Sequence, residues 1–306
     1  MSLPLEKTMS SALRVSRTYR IEQGKNFRLK QISPDDTGGL AKNNAEIRWR
    51  AKTFLDFASA RLAALQDKLY AQKSWSVLIV LQAMDAAGKD GTIKHVMSSV
   101  NPQGCEVTSF KTPSSIELAH TFLWRCARRV PEAGMIGIFN RSHYEEVLVL
   151  RAHPEFLQAQ NLPPLLVTEK IWQERYKDIN AFEKHLARNG VLVLKFYLHL
   201  SKEEQKKRLL ERINEKNKNW KFSESDIKER ALWDTYMTAY EDAIRATAKP
   251  WAPWYVVPAD NKWYTRAMVA VAIIDALESL ALKYPKAPKG HKQILLAAQK
   301  ALDKEA

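Results

Sequence analysis

The sequence predicts an α/β fold: a three-layer sandwich in which a central parallel sheet of five strands carries helices on both faces and a helical lid. Two observations predict it. Short apolar runs alternate with segments of helical periodicity along most of the 306 residues, which is the pattern of a parallel sheet covered on both faces. Polar side chains follow several of these runs, where the carboxyl ends of parallel strands usually form a ligand-binding edge.

The individual elements follow from local patterns in chain order. Apolar runs predict the strands, and amphipathic spacing with capping residues predicts the helices. Ser114 or Ser115 begins one helix, and Ser201 with Glu204 forms a capping box at the start of another. The predicted strands are 75–81, 105–110, 135–139, 191–198 and 255–257. The predicted helical segments are 44–72, 89–100, 115–129, 147–150, 168–188, 201–248 and 262–282.

Periodicity and charge divide the chain into three parts. Residues 1–43 show no sustained periodicity and are predicted to be an N-terminal arm that lies over the domain or over a partner subunit. Residues 44–284 form one α/β domain, in which about 201–230 are the lid. Residues 285–306 form a basic C-terminal tail.

Composition limits the function and the location. The net charge of +14 is concentrated in 202–230 and 283–292, which favours a polyanionic partner, although solubility alone is the simpler explanation. No apolar run reaches the roughly 18 residues of a membrane span, and no secretory signal is visible. Cys105 and Cys126 make no disulfide framework. We therefore expect a cytoplasmic protein.

The loop after the first predicted strand carries the clearest chemical signal. The phosphate-binding motif is Gly-x-x-x-x-Gly-Lys-[Ser/Thr], and here Ala83 replaces the first glycine and Asp90 the hydroxyl residue. Consecutive backbone N–H groups of such a loop bind a phosphate at the start of a helix, and Lys89 adds a positive charge for the transferring group. Gly88 allows close approach of an anion. The alternative is an ordinary strand-to-helix turn with a solvent-facing lysine.

An acidic residue inside the loop predicts a metal ion. A carboxylate beside phosphates needs a cation between them, and Mg²⁺ accepts carboxylate and phosphate oxygens. Asp85 is the first candidate ligand, with a helix-cap or turn carboxylate as the alternative. Asn140 ends a strand where related loops place a metal-organising aspartate, and its neutral oxygen makes it the weaker second candidate. We expect Mg²⁺, with Mn²⁺ as a substitute.

Further polar residues are predicted at the same edge of the sheet. Lys111 follows the second strand, and Asn140, Arg141 and Glu145 follow the third. A guanidinium matches phosphate oxygens bidentately, although Arg141 has an ion pair with Glu145 at i+4 as its alternative role. His143 is expected to be structural, because phosphoryl transfer between phosphates hardly needs a proton carrier.

The lid segment is basic. Arg208 and Arg212 share a helix face, and residues 214–223 are polar without an apolar period. Lids of kinases close over phosphates and exclude water, whereas the usual meaning of a charge run is a solvated surface. The candidate phosphate-binding cations are Lys206, Arg208, Arg212, Lys218 and Lys221.

Together these stretches resemble the polyphosphate kinase 2 family. The similarity covers most of residues 20–284. The motifs that carry it are 83–92, 110–113, 122–125, 139–146, 206–212 and 220–222, together with 24–29 and 35–37 in the arm.

The resemblance implies a P-loop kinase-like fold and magnesium-dependent phosphoryl transfer between inorganic polyphosphate and a nucleotide. It implies that Asp85 is a metal ligand, Lys89 the loop lysine and Arg141 a phosphate-binding residue. Asn140 stands where many members of the family have an aspartate. Together with Glu145, it makes the motif of this chain similar to that of the subgroup that phosphorylates both nucleoside mono- and diphosphates. Thr121 departs from the family, because an acidic residue is expected before Phe-Leu-Trp.

The resemblance also implies the binding sites and partners. We expect adenine nucleotides, with guanine as an alternative base, at Lys111, Asn140 and Glu145. A homodimer or homotetramer is expected, without a membrane or a specific nucleic acid as partner. Polyphosphate is expected to bind the loop residues Ala87, Gly88, Lys89, Asp90 and Gly91 and the lid cations named above.

Two other functions stay open at this stage. An ATP-dependent nucleoside monophosphate kinase would explain the loop and the lid, but not the extent of the basic segment. A non-enzymatic polyanion or nucleic-acid binder would explain the charge. However, the sequence has neither the alternation of aromatic and basic residues on strands nor the motifs of known nucleic-acid-binding folds.

Overall fold

A six-stranded mixed sheet forms the centre of the protein in the computed structural model, which describes residues 5–41, 45–288 and 290–305. The strands are β1 (Arg20–Ile21), β2 (Ser76–Gln82), β3 (Cys105–Ser109), β4 (Ile136–Asn140), β5 (Val191–His199) and β6 (Trp254–Pro258). Their spatial order is β1-β6-β5-β2-β4-β3. The five predicted strands are present and parallel, but the prediction of a five-stranded sheet missed β1, which lies antiparallel beside β6.

Helices cover both faces of this sheet. One face packs against α1, α2, α3 and α11, and the other against α6, α7 and α10, which confirms the predicted three layers. The described α-helices are α1 (Leu5–Thr18), α2 (Ala45–Gln72), α3 (Lys89–Val96), α4 (Ser115–Leu118), α5 (Trp124–Ala127), α6 (Glu145–Ala152), α7 (Ile171–Arg188), α8 (Lys202–Asn214), α9 (Glu224–Ala231), α10 (Trp233–Thr247), α11 (Lys262–Ser279) and α12 (His291–Leu302).

The register of the sheet brings the polar segments together. All seven residues of β2 are buried, because the strand has helices on both sides. Leu81 near the end of β2 pairs with Asn140 of β4 on one side and with Phe196 of β5 on the other, while Ser109 of β3 also pairs with Asn140. The loops that follow β2, β3 and β4 therefore leave the same edge.

The N-terminal segment is more ordered than the sequence predicted. It contains α1 and β1, and α1 packs against α11. Arg17 pairs with Asp275 at 2.7 Å, and the Tyr19 and Tyr264 hydroxyl groups are 2.7 Å apart. Met9, Ala12 and Leu13 of α1 have helical spacing and pack on the core, so the pattern is present in the sequence and the prediction overlooked it.

Other boundaries differ as well. The helix predicted over 89–100 ends at Val96, and the one over 115–129 is two helices of four residues each, α4 and α5. The predicted start of α2 at Asn44 lies outside the described residues. Ser201 caps α8 as predicted, since its hydroxyl accepts the Glu204 N–H. Among the described residues, no helix combines the length and the apolar character needed to cross a bilayer.

A buried histidine at the end of β5 gives the fold an expected sensitivity to acid. His199 is 7% exposed, and burial lowers its pKa to about 4. The unfolded chain would bind a proton near pH 6.5 and the folded chain would not, so stability is lost as the pH falls below 6.5. We expect about 2 kcal/mol of this loss between pH 8 and pH 5.

Urea unfolding of the wild type and of His199→Gln over that pH range checks this expectation. Because other groups titrate too, the measured quantity is the difference between the two pH slopes. The variant should lose about 2 kcal/mol less than the wild type between pH 8 and pH 5. Parallel curves would show that His199 does not titrate as expected.

Candidate active site

The loop between β2 and α3 has the backbone of a phosphate-binding loop. Ala86 and Gly88 have φ of 63° and 103°, in the left-handed region, and Gly88 directly precedes α3. Glycine adopts this conformation at little cost, whereas alanine does so only when the surroundings hold it there. The first N–H groups of α3 have no carbonyl partner within the helix and are available to an anion. The Ala87 N–H instead donates to the Met84 carbonyl at 3.3 Å.

Side chains of α8 hold this loop through hydrogen bonds to its backbone carbonyls. Gln205 Nε2 donates to the Asp85 carbonyl at 3.0 Å, and Arg208 Nη1 donates to the carbonyls of Ala86 and Ala87 at 3.2 and 3.0 Å. Three consecutive loop carbonyls therefore point towards α8. These contacts explain how Ala86 keeps its unfavourable φ.

Arg208 has a further contact set besides the loop carbonyls. Its side chain is 4% exposed, and its Nη2 donates to the carbonyls of Ala259 and Asp260 at 2.7 and 2.9 Å. Its Nε donates to Glu204 at 2.8 Å. A guanidinium has five N–H groups, and these bonds use them, so in this structure Arg208 supports the loop, while its binding of polyphosphate stays a prediction. No sequence pattern indicates that Gln205 shares this role, because a single glutamine in a basic helix is not part of a motif.

Lys89 lies under the loop. Its Nζ donates to the Ala83 carbonyl at 2.7 Å. Burial lowers the pKa of Lys89, and the charge of Asp85 opposes that effect. The ammonium group is therefore held inside the loop by backbone contacts, next to the helix start where a phosphate would bind.

Arg141 faces the loop from the end of β4. It has a φ of 66°, and its Nη2 lies 3.2 Å from Asp85 Oδ1, while Nη1 lies 3.9 Å from Glu145 Oε2. Burial alone would lower the pKa of Arg141, but Glu145 and Asp85 outweigh it and raise it. Burial raises the pKa of Glu145, which the charge of Arg141 opposes. The predicted ion pair with Glu145 is thus present, and the contact with Asp85 is shorter.

Of the two candidate metal residues, Asn140 contacts the start of α3 through Asp90. Asn140 Nδ2 donates to Asp90 Oδ1 at 2.7 Å, which joins β4 to the first turn of α3. The described residues contain no cluster of three His, Cys, Asp or Glu side chains suited to a metal. Kinase sites hold Mg²⁺ through one or two carboxylates, substrate phosphates and waters, so the oxygens of Asp85 and Asn140 fit this ion.

The predicted cations of the lid differ in their surroundings, and Arg212 Nη1 donates to the Lys221 carbonyl at 3.5 Å. Lys206 and Lys221 are exposed, and Lys221 Nζ lies 5.0 Å from the centre of the Trp220 ring. Arg212 pairs with Asp226 at 3.1 Å, and Lys218 pairs with Glu215 at 2.8 Å and with Glu211 at 3.6 Å. Lys111 is exposed after β3. In this structure, none of these five side chains contacts the loop backbone.

A buried cluster of hydrogen-bonded side chains supports the segment that carries Arg141. His143 Nε2 lies 3.3 Å from Glu183, and Lys195 Nζ donates to Glu183 at 2.6 Å and to the Tyr144 hydroxyl at 3.0 Å. All four side chains are fully buried. This placement fits the structural role predicted for His143.

Aromatic residues of α10 were missed by the sequence analysis. The Tyr236 hydroxyl donates to Glu229 at 2.6 Å, and Tyr240 stacks on Tyr197 with ring centres 4.2 Å apart. Burial raises the pKa of both Tyr236 and Tyr240, and the charges of Glu145 and Asp85 add to it. Because α10 packs against α6, which begins at Glu145, these buried rings lie on the side of the site that carries Arg141. Their spacing along α10 is ordinary core spacing, so only the fold connects them to the site.

The profile of the family described as Polyphosphate kinase 2 matches residues 50–285. The chain belongs to the polyphosphate kinase 2 family. The resemblance seen in the motifs is thereby confirmed, and the chain is an enzyme of phosphoryl transfer.

Two curated relatives and one solved structure show how similar the chain is to other members of the family. An ADP-polyphosphate phosphotransferase of Rhodopseudomonas palustris is 51% identical over 244 residues, which cover 79% of this chain and 84% of the relative. An AMP/ADP-polyphosphate phosphotransferase of Meiothermus ruber is 44% identical over 278 residues, covering 91% and 98%. The crystal structure of Polyphosphate Kinase 2 from Arthrobacter aurescens TC1 superposes with a TM-score of 0.82 at 40% identity, covering 94% and 95%.

Proposed function

We propose that this polyphosphate kinase 2 transfers phosphoryl groups reversibly from inorganic polyphosphate to AMP and ADP, with Mg²⁺ as the metal ion. The observation that carries the proposal is the similarity to the Meiothermus ruber relative, named for both acceptors, over nearly the whole length of both chains. The loop geometry supports it, since the Lys89 ammonium is held by the Ala83 carbonyl of the loop and the Arg141 guanidinium lies 3.2 Å from Asp85 of the same loop.

Each site residue has a role that suits transfer between phosphates. Catalysis of such a transfer consists mainly of positioning and charge stabilisation. The N–H groups at the start of α3 bind the donor phosphates, and Lys89 neutralises charge on the transferring group. Arg141 orients the phosphate of the acceptor and is itself oriented by Asp85 and Glu145.

The metal has a defined place in this proposal. Nucleotide kinases of this family are generally metal-dependent. Asp85 would hold Mg²⁺ directly, and Asn140 would hold it through an oxygen or a bound water, with Mn²⁺ as a substitute. When bound, the ion would neutralise charge on the phosphate oxygens.

The acceptor range rests on the names of the two relatives. The Rhodopseudomonas palustris relative is named for ADP and the Meiothermus ruber relative for AMP and ADP. Asn140 carries no charge, so it adds no repulsion towards the terminal phosphate of the acceptor, which is doubly charged in both AMP and ADP. The rings of Tyr236 and Tyr240 lie on the side of the site that carries Arg141 and offer an apolar boundary for the nucleoside.

A panel of donors and acceptors tests the function. Purified protein with Mg²⁺ is given AMP, ADP or GMP, and either polyphosphate or ATP as the only donor, and products are separated by chromatography. We expect ADP and ATP from AMP and polyphosphate, and no product from Lys89→Ala. Product from ATP alone would indicate an ATP-dependent nucleoside monophosphate kinase. No product from any donor, with polyphosphate still bound, would indicate a polyanion-binding protein.

The remaining predictions concern larger parts of the molecule. The homo-oligomer, the cytoplasmic location and the division into arm, domain and tail stay predictions from the sequence.

We further propose that the mobile part of the lid is the segment between α8 and α9, since α8 itself is hydrogen-bonded to the loop through Gln205 and Arg208. Closure would then bring Lys218 and Lys221 towards the donor.

A further inference from the structure

A second group of cations lies beside the loop, on the face of the sheet opposite Arg141. Lys262 and Arg266 lie on the first turns of α11, which packs against α3. A Cβ placed on Gly91, in the first turn of α3, would lie 3.5 Å from Nη2 of Arg266. The Arg266 guanidinium therefore lies next to the first turn of α3, although Arg266 belongs to no motif noted in the sequence.

These two cations have no counter-ion. Within the described residues, neither Lys262 nor Arg266 has a hydrogen-bond or ion-pair partner. The carboxylates in their neighbourhood are engaged elsewhere. Glu204 accepts from Arg208, Glu211 pairs with Lys218, and Asp260 accepts the Ser201 N–H.

The surroundings make this arrangement unfavourable for the protein alone. Arg208 adds a third positive charge, which together with burial lowers the pKa of both Lys262 and Arg266. The start of α11 has no acidic residue in its first turn, and cations are disfavoured at this end of a helix. Partly buried positive charges without partners are costly, and such sites are common where an anion binds.

We infer that Lys262 and Arg266 bind phosphates of the polyphosphate donor that lie beyond the group being transferred. This inference rests on the proposed function and extends the donor site from the loop onto α11. The donor is favoured over the nucleotide because the two sides of the loop differ. The Arg141 side carries Asn140, Glu145 and tyrosine rings, as a nucleoside phosphate requires, whereas the α11 side offers cations next to the loop.

The test is the double variant Lys262→Gln/Arg266→Gln, with Lys94→Gln/Lys177→Gln as the control. The control removes two exposed lysines from α3 and α7 and changes the net charge equally. We expect the KM for long-chain polyphosphate to rise about 10- to 100-fold in the double variant, with the KM for AMP unchanged. The slope of log KM against log salt concentration should fall by roughly one to two. The control should behave like the wild type.

Thermal unfolding supplies a readout that does not depend on turnover. Without ligand, the double variant should be as stable as the wild type or more stable, because it loses unpaired charges. With long-chain polyphosphate, its increase in Tm should be smaller than that of the wild type. A large loss of stability without ligand would assign these cations a structural role and overturn the inference.

The outcomes separate the inference from the proposed function. If the wild type neither makes product from polyphosphate nor is stabilised by it, the proposed function fails. If the wild type does both and the double variant matches the control, the inference is wrong and the function stands. A rise in the KM for AMP rather than for polyphosphate would also overturn it, since the cations would then hold the acceptor.

Discussion

Asp85→Asn should lower phosphoryl transfer by about 10²- to 10³-fold while the protein stays folded. Asparagine has the same shape and keeps the backbone carbonyl that Gln205 holds. It loses the charge that would bind Mg²⁺ and that lies 3.2 Å from the Arg141 guanidinium. The loss should therefore appear in kcat and in the magnesium concentration needed for half-maximal activity.

The measurement is the rate with AMP and polyphosphate as a function of Mg²⁺ concentration, together with a thermal unfolding curve. Asp56→Asn, an exposed residue of α2, is the matched control and should leave both unchanged. An Asp85→Asn enzyme with nearly full activity would return Asp85 to the role of a turn residue. A variant that has unfolded would give no information on the metal, and the unfolding curve detects this.

Arg208→Lys should reduce both activity and stability, because lysine keeps the charge but offers only three donors on one atom. It cannot reach Glu204, two loop carbonyls and the two carbonyls after β6 at once. Unsatisfied buried groups should lower the free energy of unfolding by about 3 kcal/mol. Without these bonds Ala86 should leave its strained backbone conformation, and kcat should fall about 10²-fold or more.

Urea unfolding without ligand separates this role from direct substrate binding. A residue that only bound polyphosphate would change KM and salt dependence and would leave the ligand-free stability intact. Arg188→Lys on the surface of α7 serves as the control for the chemical change. Unchanged stability of Arg208→Lys, with a raised KM for polyphosphate, would support the role that the sequence predicted for Arg208.

Much of the fold could be predicted because its signals are local. The apolar run of β2 and the Gly88-Lys89 pair specify a buried strand and a phosphate loop within sixteen residues. The motif around Arg141 placed a second group of polar residues at the same edge, and the register of β2 with β4 shows them side by side. The prediction of the family likewise needed only short motifs.

What could not be predicted depends on contacts between distant segments. Gln205 and Arg208 meet the loop about 120 positions away in the chain, and nothing in a basic helix distinguishes a buried arginine from an exposed one. The proximity of Arg266 to Gly91 could not be predicted either, because the two residues are far apart in the sequence. The missed strand β1 has only two residues, and it is stabilised by its neighbour β6 and not by a pattern of its own.

Strand β1 also determines which segment of the chain can be expressed as a unit. The family profile begins at residue 50, whereas Arg20 and Ile21 pair with Tyr255 and Trp254 in the sheet. A protein trimmed to the matched region would leave the outer side of β6 with unpaired N–H and C=O groups. Exposed strand edges of this kind promote aggregation between molecules. Within residues 5–41, β1 thus covers this edge of the sheet, and recombinant versions of this enzyme should retain that segment.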